Sequence, residues 1–492
     1  PKLLEYFLGN NYSQASSIIP FLSFSAVIHG MYLMVLNYIF YFKESKKIAI
    51  ITFSTGLLHV FLSYQFIKLY GIHGAAIASL LSYFITFVLT ILHTTMKQVS
   101  NRLLQLSESA TLAMARMSRE LKAKGHDVIA LSLGEPDFDT PDFIKESAKN
   151  AIDNNFSHYT PVPGLIELRE AICHKLKRDN QLDFTPTQIV VSTGAKQSIA
   201  NVCLSLLNSG DEVLLPAPYW VSYYELVKLG EATPIVIKSD IDNDFKISPE
   251  QLEKAITPKT KMMIFSSPCN PSGTVYTKSE LESLANVLEK HPNVYIISDE
   301  IYELINFGVE HYSMARIESI KDRVITVNGV SKGFAMTGWR VGYIAAPEWI
   351  ANACNKIQGQ VTSATCAIAQ KATETAMLAD PSEIENMKLA FHKRRDLMLD
   401  MLNEIEGVKT NTPDGAFYIF PDISYYFGKS DGKDTISNSS DFCMYLLNDA
   451  HVALVAGEAF GSPNCVRISY AASEESLIEA VKRIKKSLEK LN

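Results

Sequence analysis

The stretch NGVSKGFAMTGWRVGY, residues 328–343, decides the fold class that the sequence predicts. An apolar run, VITVN, delivers Lys332 into a loop rich in small residues, and Arg340 follows eight positions later. A lysine that reacts with a carbonyl must be able to lose its proton, and a phosphorylated cofactor needs a cation for its phosphate. Lys332 and Arg340 suit these two roles. Taken alone, a lysine and an arginine with this spacing are more often a surface lysine and a salt-bridged arginine. The neighbouring motifs therefore decide whether the two residues bind a cofactor.

Three further motifs place polar groups at the ends of predicted strands. In VYIISDEIYE, residues 294–303, Asp299 follows a buried strand, where α/β sheets place ligands. An isolated Asp-Glu pair is more often a helix cap. FSSPCNPSG, residues 265–273, is a strand and a turn whose Pro, Asn and Gly need no function to explain them. VVSTGAKQSI, residues 190–199, is a strand, a small-residue turn and a helix start, which is a natural anion site.

Position by position, residues 328–343 are similar to the pyridoxal-phosphate attachment signature of class I aminotransferases, and the resemblance extends over nearly all of residues 100–492. The matching positions are Gly329, Ser331, Lys332, Gly338, Arg340 and Gly342. The resemblance implies the α/β fold called pyridoxal-phosphate-dependent transferase fold type I, in which a large domain with a mostly parallel seven-stranded sheet joins a small α+β domain. It places the N-terminal part of the small domain at 98–145, the cofactor-binding large domain at 146–385 and the C-terminal small domain at 386–492.

The pattern of residues after Asp127 agrees with that fold class. Short β-branched runs alternate with amphipathic windows, which argues for α/β architecture. One of these windows predicts a helix at 278–289. Strands are predicted at 189–193, 212–215, 261–266, 294–298, 324–328 and 341–345.

The resemblance also implies which residues carry the catalytic chemistry. It implies that Lys332 binds pyridoxal 5'-phosphate covalently and later moves a proton between substrate and cofactor. Asp299 resembles the aspartate that keeps the pyridine nitrogen protonated, so that the ring withdraws electrons. Tyr302 resembles a tyrosine that hydrogen-bonds the phenolic oxygen of the cofactor, and Asn270 occupies the position of an asparagine that contacts the same oxygen.

Further residues are expected to hold the phosphate and the ring of the cofactor. Trp220 resembles an aromatic residue that stacks on the ring, although core packing is the default explanation for a tryptophan. Tyr159, in HYTPVPG, resembles a tyrosine that reaches the cofactor phosphate of the partner subunit. The resemblance therefore implies a homodimer with shared active sites. The candidates for the phosphate are Gly194, Ala195, Lys196, Ser331, Arg340 and Tyr159.

The substrate residues follow from the carboxylates of an amino acid. Arg467, in NCVRISYA, resembles the family arginine that grips the α-carboxylate through two parallel hydrogen bonds, with a surface ion pair as the alternative. Gly134 would add a backbone contact, because only a residue without Cβ permits so close an approach. Lys196 resembles the residue that holds the side-chain carboxylate in one bacterial subgroup, and Trp220 and Asn270 complete the expected substrate site.

These assignments predict an aminotransferase that moves the amino group of L-aspartate to 2-oxoglutarate by a ping-pong mechanism, giving oxaloacetate and L-glutamate. Its partners would be small amino acids and 2-oxo acids, and no metal is expected in the site. A prephenate or aromatic aminotransferase, or another pyridoxal-phosphate enzyme of the same fold, is the alternative. Prephenate-using relatives carry a basic residue where this chain has Ser107, which weakens that option.

Residues 1–97 differ sharply in composition, with six lysines, no arginine, no aspartate and two glutamates. Lys43, Lys46 and Lys47 crowd the connection between two apolar runs, so the positive-inside rule puts that connection and the soluble part in the cytoplasm. Buried core helices are the alternative to transmembrane helices. Three uncharged apolar runs are each long enough to span a bilayer: 18–42, 48–67 and 74–93.

Residues 70–83, YGIHGAAIASLLSY, resemble the closing helices of polysaccharide or oligosaccharide flippases. Three helices are too few for such a transporter, so this head is expected to be a remnant, a fusion or an anchor in the inner membrane. The alternative from another functional class is a flippase fragment with a passenger pyridoxal-phosphate domain. The presence of Lys332, Asp299 and Arg467 argues against it, because a pure binding module has no use for a proton-shuttling lysine.

Charge and cysteine usage describe the soluble part. Without the head, 40 basic and 51 acidic residues remain in 98–492, a net charge of −11 with histidines neutral. This acidic balance does not indicate a protein that binds nucleic acid. The 7 cysteines are scattered, odd in number and without a CxxC pair. That usage favours a reducing, cytoplasmic compartment over a disulfide-bonded exported enzyme.

Overall fold

Two units make up the chain, Pro1–Leu104 and Gln105–Asn492. The computed structural model describes residues 17–41, 45–95 and 99–492 of them. Phe42, Lys43 and Lys97, on which part of the membrane prediction rests, lie outside these ranges.

Three long helices dominate the first unit, and each begins and ends within three residues of an apolar run identified in the sequence. They are α1 (Ile19–Tyr41), α2 (Ser45–Tyr70) and α3 (Ile72–Thr95), and a short α4 (Asn101–Leu104) follows. Within the described ranges, three helical spans are long and apolar enough to cross a membrane by length and composition: Ile19–Asn37, Ile48–Tyr70 and Ile72–Leu92.

The polar side chains of these helices pair with one another. The Tyr32 hydroxyl lies 3.2 Å from the Thr52 hydroxyl, and His59 Nδ1 lies 3.2 Å from the Ser82 hydroxyl. Large apolar side chains face outward instead, as at Phe53, which is 70% exposed. Polar groups inside and apolar groups outside are what a helical bundle needs in lipid.

Helices and strands alternate through most of the second unit. Its helices are α5 (Ala110–Ala123), α6 (Asp142–Asp153), α7 (Ile166–Asn180), α8 (Ala195–Leu206), α9 (Val221–Leu229), α10 (Pro249–Ala255), α11 (Lys278–Glu289), α12 (Glu348–Val361), α13 (Ala367–Leu378), α14 (Glu385–Asn403), α15 (Ser439–Asp449) and α16 (Glu474–Leu488). Its strands are β1 (Ile129–Ala130), β2 (Ile189–Ser192), β3 (Glu212–Pro216), β4 (Thr233–Ile237), β5 (Thr260–Ser266), β6 (Tyr295–Asp299), β7 (Val324–Gly329), β8 (Gly342–Ala345), β9 (Tyr418–Ile419), β10 (Val452–Ala453), β11 (Val455–Ala456) and β12 (Val466–Ser469).

Seven strands form one sheet in the order β2-β8-β7-β6-β5-β3-β4. Only β8 runs antiparallel to its neighbours, so the sheet is mostly parallel, as the sequence predicted. Every residue of β2, β7 and β8 is buried, because helices cover both faces of such a sheet. The six strands identified in the sequence lie within one residue of their predicted ends, and α11 has the predicted bounds.

Parallel strands point their carboxyl ends to one edge of the sheet, where α/β proteins bind ligands. Asp299 is the last residue of β6, and Lys332 follows the end of β7. Gly194, Trp220 and Asn270 follow β2, β3 and β5 in the same way. The topology therefore gathers these sequence motifs at one edge.

A smaller layer joins the two ends of the second unit. Strand β1 pairs in parallel with β10, and β12 lies between β11 and β9 in an antiparallel sheet. Arg467 lies in β12, and Tyr418 begins β9. This layer brings residues from the carboxyl-terminal part of the chain to the candidate site.

Candidate active site

A cavity of about 220 Å³ lies at the carboxyl edge of the large sheet. Two candidates do not line this cavity. Gly194 adjoins the guanidinium of Arg340, which does line it. Tyr159 is 99% exposed and lies apart from the cavity. The candidate residues on its wall are Gly134, Ala195, Lys196, Trp220, Asn270, Asp299, Tyr302, Ser331, Lys332, Arg340 and Arg467.

Lys332 offers an amine whose proton is loosely held. Its Nζ donates to the Gly134 carbonyl at 2.6 Å and lies 6.0 Å from the centre of the Tyr302 ring. Burial lowers the pKa of Lys332 to about 8, and the positive charges of Arg467 and Arg340 act in the same direction. The neutral, nucleophilic form of this amine is therefore far more accessible near neutral pH than that of an ordinary lysine.

Asp299 offers a buried carboxylate, with 4% of its surface exposed. Within the described residues it has no ion-pair partner: the Tyr223 hydroxyl donates to its Oδ2 at 2.5 Å and the Ile301 amide donates to its Oδ1 at 3.3 Å. Burial raises the pKa of Asp299 to about 6, and the Tyr223 hydrogen bond opposes that rise. The carboxylate is thus ionised at neutral pH and faces a cavity that can supply a cationic partner.

Arg340 and the start of α8 form a site for an anion. Arg340 has a left-handed φ of 57°, and its Nη1 donates to the Thr337 carbonyl at 2.8 Å. Gly194 has a φ of 84°, which favours glycine, and its backbone lies so close to Arg340 that an added Cβ would be 2.2 Å from Nη2. The exposed guanidinium and the amino end of the helix concentrate positive charge at one end of the cavity.

Arg467 is the most deeply buried cation of the site, at 1% exposed. Its Nη1 donates to Asn270 Oδ1 at 2.9 Å and its Nη2 to the Ser132 carbonyl at 2.5 Å. Its Nε is buried and has no hydrogen-bond partner in the described part of the chain. A buried guanidinium with neutral partners and one unused donor is prepared for an anionic ligand.

Lys196 provides a second cation on the cavity wall. Its Nζ lies 4.9 Å from the centre of the Trp220 ring, within cation–π distance. Burial and the charge of Arg340 lower the pKa of Lys196. The cavity thus holds two separate cations, Lys196 and Arg467, in addition to the arginine at its anion site.

Tyr302 and Tyr418 join their hydroxyl groups on the cavity wall. The two oxygens are 2.7 Å apart, and Tyr418 lies in the same antiparallel sheet as Arg467, next to β12. A Cβ on Gly134 would lie 2.2 Å from the Tyr418 oxygen. A side chain at 134 would therefore clash with the buried tyrosine packed against it.

A buried charge network supports the two turns that carry Asp299 and Lys332. Lys175, 3% exposed, pairs with Glu303 Oε1 and donates to Asn180 Oδ1 at 2.7 Å. Glu303 also accepts from Asn328 Nδ2 at 2.7 Å. Because Glu303 follows the β6 turn and Asn328 lies near the end of β7, the network ties both turns to helix α7.

The same network contains three groups with the spacing of metal ligands. The ligand atoms of Glu300, Glu303 and His311 lie within 4.8 Å of one another. Lys175 already pairs with Glu303, and although burial opposes it, the hydrogen bond and charge of Glu300 raise the pKa of His311. Lys175 thus neutralises Glu303, and His311 Nε2 lies 3.2 Å from Glu300 Oε2, so all three groups already have partners within the network.

Removing one charge of this network should strongly destabilise the enzyme unit. We expect Lys175→Met or Glu303→Gln to cost about 3–5 kcal/mol, since each leaves a buried charge without its closest partner, and the double variant to recover most of it. Denaturant unfolding measures both. Lys149→Met is the control, because Lys149 pairs with Glu146 on the surface, where both side chains are more than half exposed and such pairs contribute little. Equal losses at 149 and 175 would contradict the expectation.

The residues of the cavity fit pyridoxal phosphate. The phosphate would lie at Arg340 and the amino end of α8, where Gly194 leaves room for close approach. The buried, ionised Asp299 would face the pyridine nitrogen, and Lys332 supplies an amine with a pKa of about 8. Within the described residues, Arg340, Asp299 and Lys332 form no ion pair with one another. Their charges are therefore available to a ligand that carries both a phosphate and a basic nitrogen.

Three contacts of the site were not anticipated from the sequence: Tyr223 on Asp299, Tyr418 on Tyr302 and Lys175 on Glu303. They join residues 76, 116 and 128 positions apart. Tyr223 does follow Trp220 by three residues, and Glu303 is the last residue of the stretch VYIISDEIYE, which is the only local signal for them.

The chain is similar to known proteins in sequence. The family described as "Aminotransferase class I and II" matches residues 126–484. A Petunia hybrida protein named bifunctional aspartate aminotransferase and glutamate/aspartate-prephenate aminotransferase is 48% identical over 395 residues, or 79% of this chain and 82% of that protein. The aspartate/prephenate aminotransferase of Cereibacter sphaeroides is 48% identical over 390 residues, or 78% of this chain and 97% of that protein.

Solved structures agree with the fold described above. The aspartate aminotransferase of Rhizobium meliloti has a TM-score of 0.78 and 40% identity, covering 80% of this chain and 100% of its own. The Thermus thermophilus aspartate aminotransferase with maleate has a TM-score of 0.75 and 38% identity, with the same coverage. The predicted fold class is confirmed.

Proposed function

Because this chain belongs to the class I and II aminotransferase family and is a pyridoxal-phosphate-dependent transaminase, we propose that it transfers the amino group of L-aspartate to 2-oxoglutarate. One observation carries the proposal: the cavity that holds Lys332 and Asp299 also holds two separate cations, Arg467 and Lys196. Aspartate, glutamate and their oxo acids each present two carboxylates. The number and sign of the charges match.

When bound, pyridoxal phosphate withdraws electrons from the substrate Cα and carries the amino group from one substrate to the other. Lys332 would hold the cofactor covalently and, once displaced, would take the proton from the substrate Cα and deliver it to the cofactor, which its lowered pKa permits. Asp299 keeps the pyridine nitrogen charged. Tyr302 and Asn270 hold the phenolic oxygen, and Trp220 packs against the ring.

The remaining residues position the phosphate and the substrate. Arg340, Ser331 and the amides of Gly194, Ala195 and Lys196 would hold the phosphate. Arg467 would grip the α-carboxylate, and the backbone of Gly134 would contact the same carboxylate. The Lys196 ammonium would hold the side-chain carboxylate, and the maleate of the Thermus thermophilus structure is likewise a dicarboxylate.

Two substitutions test this division of substrate binding. We expect Arg467→Lys to lower kcat/KM about 10- to 100-fold for every amino acid, because a lysine cannot form the two parallel hydrogen bonds. Lys196→Met keeps the backbone amide and should penalise aspartate and glutamate alone. Steady-state kinetics with aspartate, glutamate, an apolar amino acid and an aromatic amino acid measure both. Equal losses for all substrates in Lys196→Met would refute the side-chain role.

Prephenate is the second candidate, favoured by the names of the Petunia and Cereibacter relatives, both of which include prephenate. Ser107 supplies no positive charge at the expected position, so we propose aspartate and 2-oxoglutarate as the main pair. Turnover of the full chain with prephenate as the amino acceptor, compared with 2-oxoglutarate, decides between them. A higher kcat/KM for prephenate than for 2-oxoglutarate would make prephenate the main amino acceptor.

We further propose a homodimer with shared active sites. Tyr159 is 99% exposed and lies away from its own cavity, which fits a side chain that completes the site of a second copy. Sedimentation of the cofactor-loaded chain measures the assembly. An active monomer would contradict the proposal.

The apolar head is proposed to anchor the enzyme to the inner membrane with its catalytic unit in the cytoplasm. The three long apolar helices support this by length and composition. The flippase resemblance of residues 70–83 stays a prediction that no family match supports. Transaminase activity of the full-length chain in the membrane fraction tests the anchor, and recovery in the soluble fraction would overturn it.

A further inference from the structure

Tyr418 lies on the cavity wall and contacts a candidate residue through its polar atom, but it has no role in the proposed function. Its side chain is fully buried, and its oxygen lies 2.7 Å from that of Tyr302. Either hydroxyl could be the donor in that pair. The direction of this hydrogen bond decides whether the Tyr302 hydroxyl can donate its proton to another acceptor in the cavity.

A tyrosine hydroxyl has a single proton and two lone pairs. If Tyr302 gives its proton to Tyr418, none is left for the cofactor. We propose that Tyr418 is a positioning residue that donates to Tyr302, so that the Tyr302 proton is directed at the phenolic oxygen of the cofactor. This inference rests on the proposed function, in which Tyr302 holds that oxygen.

The surroundings of Tyr418 favour it as the donor. The Arg467 guanidinium lies 4.6 Å from the centre of its ring. Burial raises the pKa of both hydroxyls, and the positive charge of Arg467 opposes the rise at each. The pKa of Tyr302 is raised further than that of Tyr418, which leaves the Tyr418 hydroxyl the readier donor. Hydrogen bonds in such a chain polarise one another, so donation by Tyr418 strengthens donation by Tyr302.

Tyr418 also links the two halves of the site. Ser469 of β12 pairs with Tyr418 of β9, so the tyrosine belongs to the sheet that presents Arg467. Tyr302 belongs to the turn after β6. The group proposed to grip the substrate carboxylate and the group proposed to hold the cofactor oxygen are therefore joined through one residue, Tyr418, by its ring and strand on one side and its hydroxyl on the other.

The test is a pH titration of the visible absorbance of the full chain with its lysine-bound cofactor. A donor to the phenolic oxygen weakens the hold of that oxygen on the proton it shares with the lysine nitrogen, so loss of the donor raises the pH midpoint. We expect Tyr418→Phe to raise the midpoint by about half a pH unit and Tyr302→Phe to raise it further. The double variant should match Tyr302→Phe alone, because Tyr418 acts only through Tyr302.

Tyr470→Phe is the matched control. Tyr470 is as deeply buried as Tyr418, and its hydroxyl donates to the Ala416 carbonyl at 3.2 Å rather than to a cavity residue. It should leave the midpoint unchanged. The inference would be overturned if Tyr418→Phe shifted the midpoint no more than the control does, or if the shifts of the two single variants added in the double variant. In either case the covalent absorbance of the parent chain would still uphold the proposed function. A parent chain without that absorbance would overturn both.

Discussion

Replacing Lys332 with alanine will reduce transamination at least about 10⁴-fold, because one side chain supplies both the covalent attachment and the proton transfer. The cavity offers no obvious substitute: Lys196 is the other lysine on its wall, and its Nζ lies against Trp220. Single-turnover absorbance with aspartate measures the loss. Borohydride reduction of the parent chain should fix the cofactor on the peptide that contains Lys332.

The control for this experiment is Lys196→Met, which should keep the covalent absorbance. Cofactor found on another lysine, or K332A turnover within tenfold of the parent chain, would contradict the assignment. The amine also predicts a pH dependence. Since the free Lys332 has a pKa of about 8 and reacts only when neutral, the rate at which the cofactor-free chain captures pyridoxal phosphate should rise with pH and level off above that value.

Replacing Asp299 with asparagine will lower kcat about 10²- to 10³-fold while the cofactor stays attached. Asparagine has nearly the same shape and can still accept the Tyr223 hydrogen bond, but it carries no charge to keep the pyridine nitrogen protonated. Steady-state kinetics give the rate, and absorbance shows that the attachment survives. D299N turnover within tenfold of the parent would show that the negative charge is not needed.

Tyr223→Phe is the companion variant for Asp299. It removes one hydrogen bond that lowers the pKa of Asp299 and leaves the charge in place. The ionised carboxylate should therefore be lost at a higher pH when the solution is acidified. We expect the acid limb of the kcat profile to move upward in pH, with a far smaller loss of rate at neutral pH.

Local patterns were sufficient to predict six of the seven strands of the large sheet, with β4 not among them, and the family resemblance then identified most of the cavity wall. The apolar runs that form β5, β6 and β7 are bounded by turn residues, so their ends could be predicted to within one residue. The chemical groups follow directly after those runs. Parallel strands then bring the groups together without any further information.

Contacts across the layers could not be predicted in this way. Tyr418 begins a strand of two residues, and nothing near it in sequence shows that it meets Tyr302. Lys175 lies on the helix α7 among other charged residues, and only the folded chain shows that it is 3% exposed and paired with Glu303. The helices of the head likewise extend past the uncharged runs, to Ser45 and Tyr70 in α2, because lysines at helix ends can reach water.

The pairing of β1 with β10 constrains the order of events during synthesis. Ile129 is aligned with Val452, so the early strand leaves the ribosome long before its partner exists. The seven-stranded sheet ends at Ala345 and can assemble on the nascent chain. The small layer, which contains Arg467, can close only after translation is nearly complete, so a chain stalled before residue 450 would lack the arginine proposed to bind the substrate carboxylate.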